Sequence, residues 1–277
     1  MITSQSEWAY AVVLDGLPWT SSAKSVALEP GISLNRQEKG LSLIFPDYCA
    51  WEFDTVAWLA PPVEDRHFCT PASTMEVLID VIVVMMESPL FGYRIVPFRK
   101  RLFPEDALQI KVIHDGGQTD FLTNHRELDD EALADIVKAW QTVAAIRKAN
   151  GCRGRLSNAL RLFQQAWKST FMENTCLSLD LVFRTLVGRE TSGKSDADVA
   201  RAVTLLAESL GYDSDNTGEI VLRVLEVRAH IFSKGREDQD EVCDLGPEAF
   251  RLATSLLRRI LLAKDVALAI DAIVIDE

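Results

Sequence analysis

Leu177-Ser-Leu-Asp180-Leu-Val-Phe-Arg184-Thr-Leu-Val187-Gly188-Arg-Glu-Thr-Ser-Gly193-Lys194-Ser195 is the stretch on which the fold turns. Its last eight residues match the P-loop pattern GxxxxGK[ST], in which backbone N–H groups cradle phosphates, Lys194 would reach the β/γ-phosphates and Ser195 would hold magnesium. That chemistry requires a buried parallel strand leading into the loop. Asp180 and Arg184 interrupt the apolar run, and a buried central strand carries neither charge. A surface-facing stripe of a helix accommodates both, so the stretch reads as helix, polar turn, helix, with Ser195 capping the second helix. The tail Ile273-Val-Ile-Asp-Glu277 resembles the second strand of a nucleotide-binding fold, but too few strands lie between residues 188 and 277 to build its sheet. A P-loop NTPase therefore ranks third among the functional readings.

Working outward, every periodic segment beyond residue 130 is helical. Leu133, Ile136, Val137, Trp140, Val143 and Ala144 keep helical spacing, with Asp129 or Asp130 as N-cap and Gly151 as the stop. Further helices are expected over residues 156–168, 175–187, 195–210 and 218–233, and a last long one with Pro247 in its first turn, ending near Lys264. Residues 266–275 are too apolar to be free and are expected to pack as a short strand or helix. Five or six such helices joined by short loops make an antiparallel bundle.

Before residue 130 the pattern is different. Short β-type runs at residues 9–14, 25–28, 41–45, 93–98 and 108–114 alternate with turn signals at Gly16, Pro30-Gly31, Pro61-Pro62 and Gly116-Gly117. One helix interrupts them: Ser73 and Glu76 have capping-box spacing and an apolar run to Met86 follows, although its β-branched Val81–Val84 portion would also suit a strand. The expected fold class is α+β, a mixed β-rich module over residues 1–130 followed by a helical bundle over residues 131–277.

Composition bounds the function. The 277 residues include 41 acidic against 29 basic side chains, a formal net charge of −12, which argues against a general nucleic-acid coat. Residues 1–150 hold 13 basic and 21 acidic side chains, and residues 151–277 hold 16 and 20, so the bundle is the less acidic part. It opens near a basic cluster, Arg147, Lys148, Arg153, Arg155 and Arg161, readable as a solvated face or as a phosphate contact. The N-terminus has no signal-peptide pattern and no window is long and apolar enough to span a membrane, so a cytoplasmic chain without membrane partners is expected. Five scattered cysteines and four histidines show no metal-ligand spacing, and neither a metal nor a cofactor is expected.

The second chemical candidate is Leu225-Glu-Val-Arg228-Ala-His230-Ile-Phe-Ser233-Lys234-Gly235. At about 100° per residue, Ile220, Val224, Val227 and Ile231 form an apolar stripe, and Arg228 falls inside the apolar arc. An arginine there needs a carboxylate, a set of carbonyls or an anionic ligand. Arg223, Glu226, His230, Ser233 and Lys234 share the other side.

Several of these segments resemble the C-terminal helical module of ApeA-like HEPN proteins. They are Arg155-Leu-Ser-Asn-Ala-Leu-Arg-Leu-Phe163, Leu177–Gly188, the helix over residues 198–210, and residues 227–235. The resemblance implies a HEPN-type bundle that dimerises, with Arg-containing segments around a shared cleft. In that family an Arg followed after four to six residues by a His cleaves RNA without metal. Arg228 matches the Arg, Ser233 stands where the His is expected, and Arg184 stands where a Glu is common. Arg223 and His230 satisfy the longer spacing. Serine cannot exchange protons unaided near neutral pH, whereas histidine can. The expectation is a non-catalytic or weakly active module binding RNA, a nucleotide or a protein partner, with a metal-independent ribonuclease of defence or toxin type as the alternative. Arg228, His230 and Ser233 are the candidate catalytic positions; Arg223, Lys234, Arg236, Arg153 and Arg155 are the candidate nucleic-acid contacts. Arg228 on its apolar arc, with Arg258 and Arg259, further motivates a homodimer.

Overall fold

The computed structural model describes residues 8–15, 17–36, 55–59, 71–87, 92–99, 111–115, 127–151, 154–169, 171–188, 195–212, 216–234 and 239–272. The chain divides into two compact units, Met1–Gln141 and Thr142–Glu277, with the division inside a long helix.

The first unit carries a six-stranded, wholly antiparallel sheet of β1 (Trp8–Asp15), β2 (Ser25–Glu29), β3 (Ile32–Arg36), β4 (Thr55–Leu59), β5 (Gly92–Arg99) and β6 (Lys111–Asp115), in the order β2-β3-β4-β1-β5-β6. The β2–β3 hairpin turns at Pro30-Gly31, where Gly31 takes φ of 80°, a left-handed conformation that glycine adopts without steric cost. Helix α1 (Pro71–Met86) packs on β1 and β4. From Met75 to Met86 it is apolar nearly all round: Met75, Leu78, Ile79 and Val81 to Met86 are buried. It opens at Pro71, so Ser73 lies inside the first turn instead of capping it, and the β-branched stretch is helix rather than strand.

The expected runs at residues 9–14, 25–28 and 93–98 are strands, as is the latter part of residues 108–114; the run at 41–45 lies outside the described residues. Strands β3 and β4 were not anticipated. Ile32 and Leu34, 1% and 0% exposed, do alternate with polar residues, but Asn35 and Arg36 give the run the look of a turn.

Helix α2 (Asp130–Asn150) runs from the first unit into the second. The Asp129 carboxylate accepts from the Ala132 N–H at 2.8 Å, and Gly151 ends the helix at φ 62°. The second unit continues with α3 (Arg155–Trp167), α4 (Met172–Val187), α5 (Asp196–Ser209), α6 (Thr217–Lys234), α7 (Gln239–Leu262) and α8 (Lys264–Asp271). Helix α4 is central, touching α3, α5, α6 and α7. Its interior stripe includes Cys176, Leu179, Val182 and Phe183, all fully buried.

One boundary differs from expectation. Pro247 lies inside α7, not in its first turn, because the helix begins at Gln239. Val242 and Leu245, ahead of the proline, are buried, and their burial outweighs the backbone hydrogen bond that proline forfeits. Gly246 lets the Met172 side chain pack closely there: a Cβ would fall 2.1 Å from Met172 Sδ, and that side chain would have to move aside. The described part of the apolar tail lies in α8, which packs on α3 and α7; residues 273–275 lie outside the described residues. Its Asp271 carboxylate accepts from the Ser157 N–H at 2.9 Å and from Asn150 Nδ2 at 3.0 Å, so a residue more than a hundred positions away caps the start of α3.

A candidate ionic site on three helices

The residues before Gly188 form helix α4, so the glycine-rich segment connects two helices and lacks the strand that a phosphate-binding P-loop leaves. Lys194 and the rest of residues 189–194 lie outside the described residues. Ser195 caps α5 through a complete capping box with Asp198. Gly188 closes α4 at φ 76°, and a Cβ there would fall 1.9 Å from the guanidinium carbon of Arg155. Glycine is favoured at this position by the backbone, and it also leaves room for that side chain.

Asp180 is not on a surface stripe as expected; it is fully buried. It continues the stripe Cys176, Leu179, Phe183 at helical spacing, on the face that α4 turns inward. Arg228 stands in the corresponding position on α6, seven residues after Val221 and in line with Val224 and Leu225, all three buried. The two charged side chains meet. Arg184 Nε donates to Asp180 Oδ1 at 2.8 Å, and Arg184 Nη2 donates to Asp196 Oδ1 at 2.5 Å. Arg228 approaches the same carboxylates less closely, with Nε 3.5 Å from Asp180 Oδ2 and Nη2 3.6 Å from Asp196 Oδ1. Helices α4, α5 and α6 are thus joined by two arginines and two aspartates whose formal charges cancel.

The cluster is unevenly bonded. Asp180 Oδ2 and Arg228 Nε are both buried and neither has a hydrogen-bond partner among the described residues. The outer edge is open: the Asp196 side chain is 40% exposed and that of Arg228 33%. Burial pushes the Asp180 carboxyl above the ordinary carboxylate range, while the Arg184 hydrogen bond and the charges of Arg184 and Arg228 pull it back only in part. Burial also opposes the Arg184 cation, but its hydrogen bonds to Asp196 and Asp180 outweigh that and hold it above its usual value. The helix text therefore led to Arg228 but missed Asp180, Arg184 and Asp196 as its partners.

The other candidate residues are dispersed. His230 is exposed; two residues on from Arg228, it lies about 200° round the helix, on the opposite side. Ser233 is exposed too, its hydroxyl donating to the His230 carbonyl at 3.3 Å. Arg223 pairs with Glu248 across to α7 at 3.4 Å. Arg155 is 8% exposed and packed against Gly188, so it is not a solvated phosphate contact. Lys234 ends α6, its side chain outside what is described, and Arg153 and Arg236 lie outside the described residues. Arg259 donates to the Leu210 carbonyl at 3.0 Å and lies over the Tyr212 ring, closing the end of α5.

Among the described residues no group of three or more His, Cys, Asp or Glu is placed to hold a metal ion, and no helix is long and apolar enough to cross a membrane. The chain matches no protein-family model, and comparisons with curated proteins and with solved structures return no match.

Proposed function

We propose that the helical unit is a HEPN-like module that has kept the bundle and lost ribonuclease chemistry, and that it acts by binding RNA, a nucleotide or a protein partner. One observation carries the reading: Arg228 turns inward onto Asp180 and Asp196, while His230 turns outward on the opposite side of the same helix. Cleavage through the RNA 2′-hydroxyl needs a cation and a proton-transfer group at one phosphate. Here the cation is matched by carboxylates, and the side chain nearest the expected histidine position is the hydroxyl of Ser233. Loss of a general acid–base group costs about 10²–10⁴ in rate. The acidic surface adds to this by weakening indiscriminate RNA binding.

Incubation of the whole chain with structured and unstructured RNA in EDTA tests the reading. Wild type is expected to leave both intact. Cleavage by wild type that disappears in His230→Ala would restore the ribonuclease. The same reading has the module work as a homodimer, supported now by the family resemblance alone, since Arg259 is engaged within its own chain. Light scattering at micromolar concentration is expected to give twice the chain mass, and a monomeric mass would remove the dimer from the account.

A further inference from the structure

We propose that Asp196 is an exchangeable internal anion, and that Arg184 and Arg228 together form a receptor for a phosphate oxyanion that takes its place. The proposal deepens the binding role inferred above and rests on it for its biological setting, but its physical basis is independent. Two guanidinium groups from different helices converge on Oδ1 of Asp196, at 2.5 and 3.6 Å, where a phosphate oxygen would be received. The carboxylate between them is the most exposed member of the cluster, whereas Asp180 beneath it is fully buried.

The bonding shows which contact would yield. Arg228 approaches Asp180 and Asp196 at 3.5 and 3.6 Å, and its buried Nε makes no hydrogen bond among the described residues. Charge-assisted N–H···O bonds are ordinarily about 2.7–2.9 Å long. A carboxylate fixed to the first turn of α5 satisfies Arg184 and leaves Arg228 underbonded. A phosphate group offers three or more acceptor oxygens and more charge, so it can bond both arginines together. With Asp196 withdrawn, Asp180, Arg184 and Arg228 carry a net charge of +1, which a singly charged phosphate group neutralises. Asp180 keeps Arg184 oriented throughout. The exchange forms and breaks no covalent bond.

Thermal unfolding of the full chain in inorganic phosphate, against chloride of equal ionic strength, tests this. Asp196→Asn removes the internal anion. It is expected to gain a saturable rise in Tm, about 3–6 °C at ten times the half-saturating concentration. Wild type should need at least tenfold more phosphate, and Asp196→Asn combined with Arg228→Gln should lose the response. Adenosine 5′-monophosphate and a short single-stranded RNA, titrated in parallel, distinguish a nucleotide carrier from a phosphodiester one; preference of Asp196→Asn over wild type for either supports the proposal. Equal responses of wild type and Asp196→Asn, or a response surviving Arg228→Gln, would overturn it. So would loss of the fold in both Asp196→Asn and Asp196→Ser, because the carboxylate would then be indispensable to the bundle. None of these outcomes depends on RNA cleavage, so failure here is separable from failure of the non-catalytic reading.

Discussion

Two aspartates of the helical unit, Asp271 and Asp180, are both fully buried, yet they are used differently. Asp271 accepts from the Ser157 N–H with one oxygen and from Asn150 with the other, and its charge lies at the N-terminus of α3. Asp180 has one oxygen bonded to Arg184 and the other, among the described residues, without a hydrogen bond, beside an arginine whose Nε is also short of one there. A fully bonded buried charge fixes a structure, whereas a half-bonded one stores unmet bonding capacity. The first ties the beginning and end of the bundle together; the second lies beneath an open edge, formed by Asp196 and Arg228, where three helices meet.

The sharpest way to break this contrast is to remove the fully bonded member. Asp271→Ala strands the Ser157 N–H, leaves the Asn150 amide only the backbone carbonyl of residue 271, and uncaps α3, and it is expected to cost about 2–3 kcal/mol in denaturant unfolding. A loss below about 1 kcal/mol would mean that the cap is dispensable.

The half-bonded member has a smaller signature, read in its pH dependence. The folded pKa of Asp180 is raised, so between its unfolded value and that raised value the folded state binds more protons than the unfolded one. Stability from this group is therefore greatest at low pH and declines as pH rises through that window. Relative to Asp180→Asn, wild type should gain stability on acidification towards the carboxylate range, by no more than about 1.4 kcal/mol per pH unit. The opposite slope would show that the arginines dominate over burial.

The sequence made these two carboxylates unequally legible. The helices of the second unit follow from the 3.6-residue spacing of their apolar side chains, and Ser195 and Gly151 marked their ends correctly. Arg228 stood out because a cation on an apolar arc needs an explanation. Asp180 lies just as plainly in the arc of Cys176, Leu179 and Phe183, but the pairing with Arg184 four residues on made it look like a surface stripe. Asp196 gave no signal beyond its place after a helix cap, because its role depends on where α6 brings Arg228. Asp271 was hidden by an apolar tail whose only apparent need was burial. In the sheet unit, β3 was concealed by its polar end, and the segment ahead of Pro247 by a Gly-Pro pair that ordinarily marks a helix start. Local periodicity reports which face is inward. It does not report what waits opposite.

The central claim is that Arg228 belongs to an interior charge cluster and not to an open catalytic cleft. A double-mutant cycle of Asp180→Asn and Arg228→Gln, measured by denaturant unfolding at neutral pH, tests it most directly. The account predicts that the two substitutions together cost less than the sum of the single losses, with a coupling of about 0.5–3 kcal/mol. Losses that add to within about 0.5 kcal/mol would show that Arg228 does not rely on Asp180 and would contradict the account.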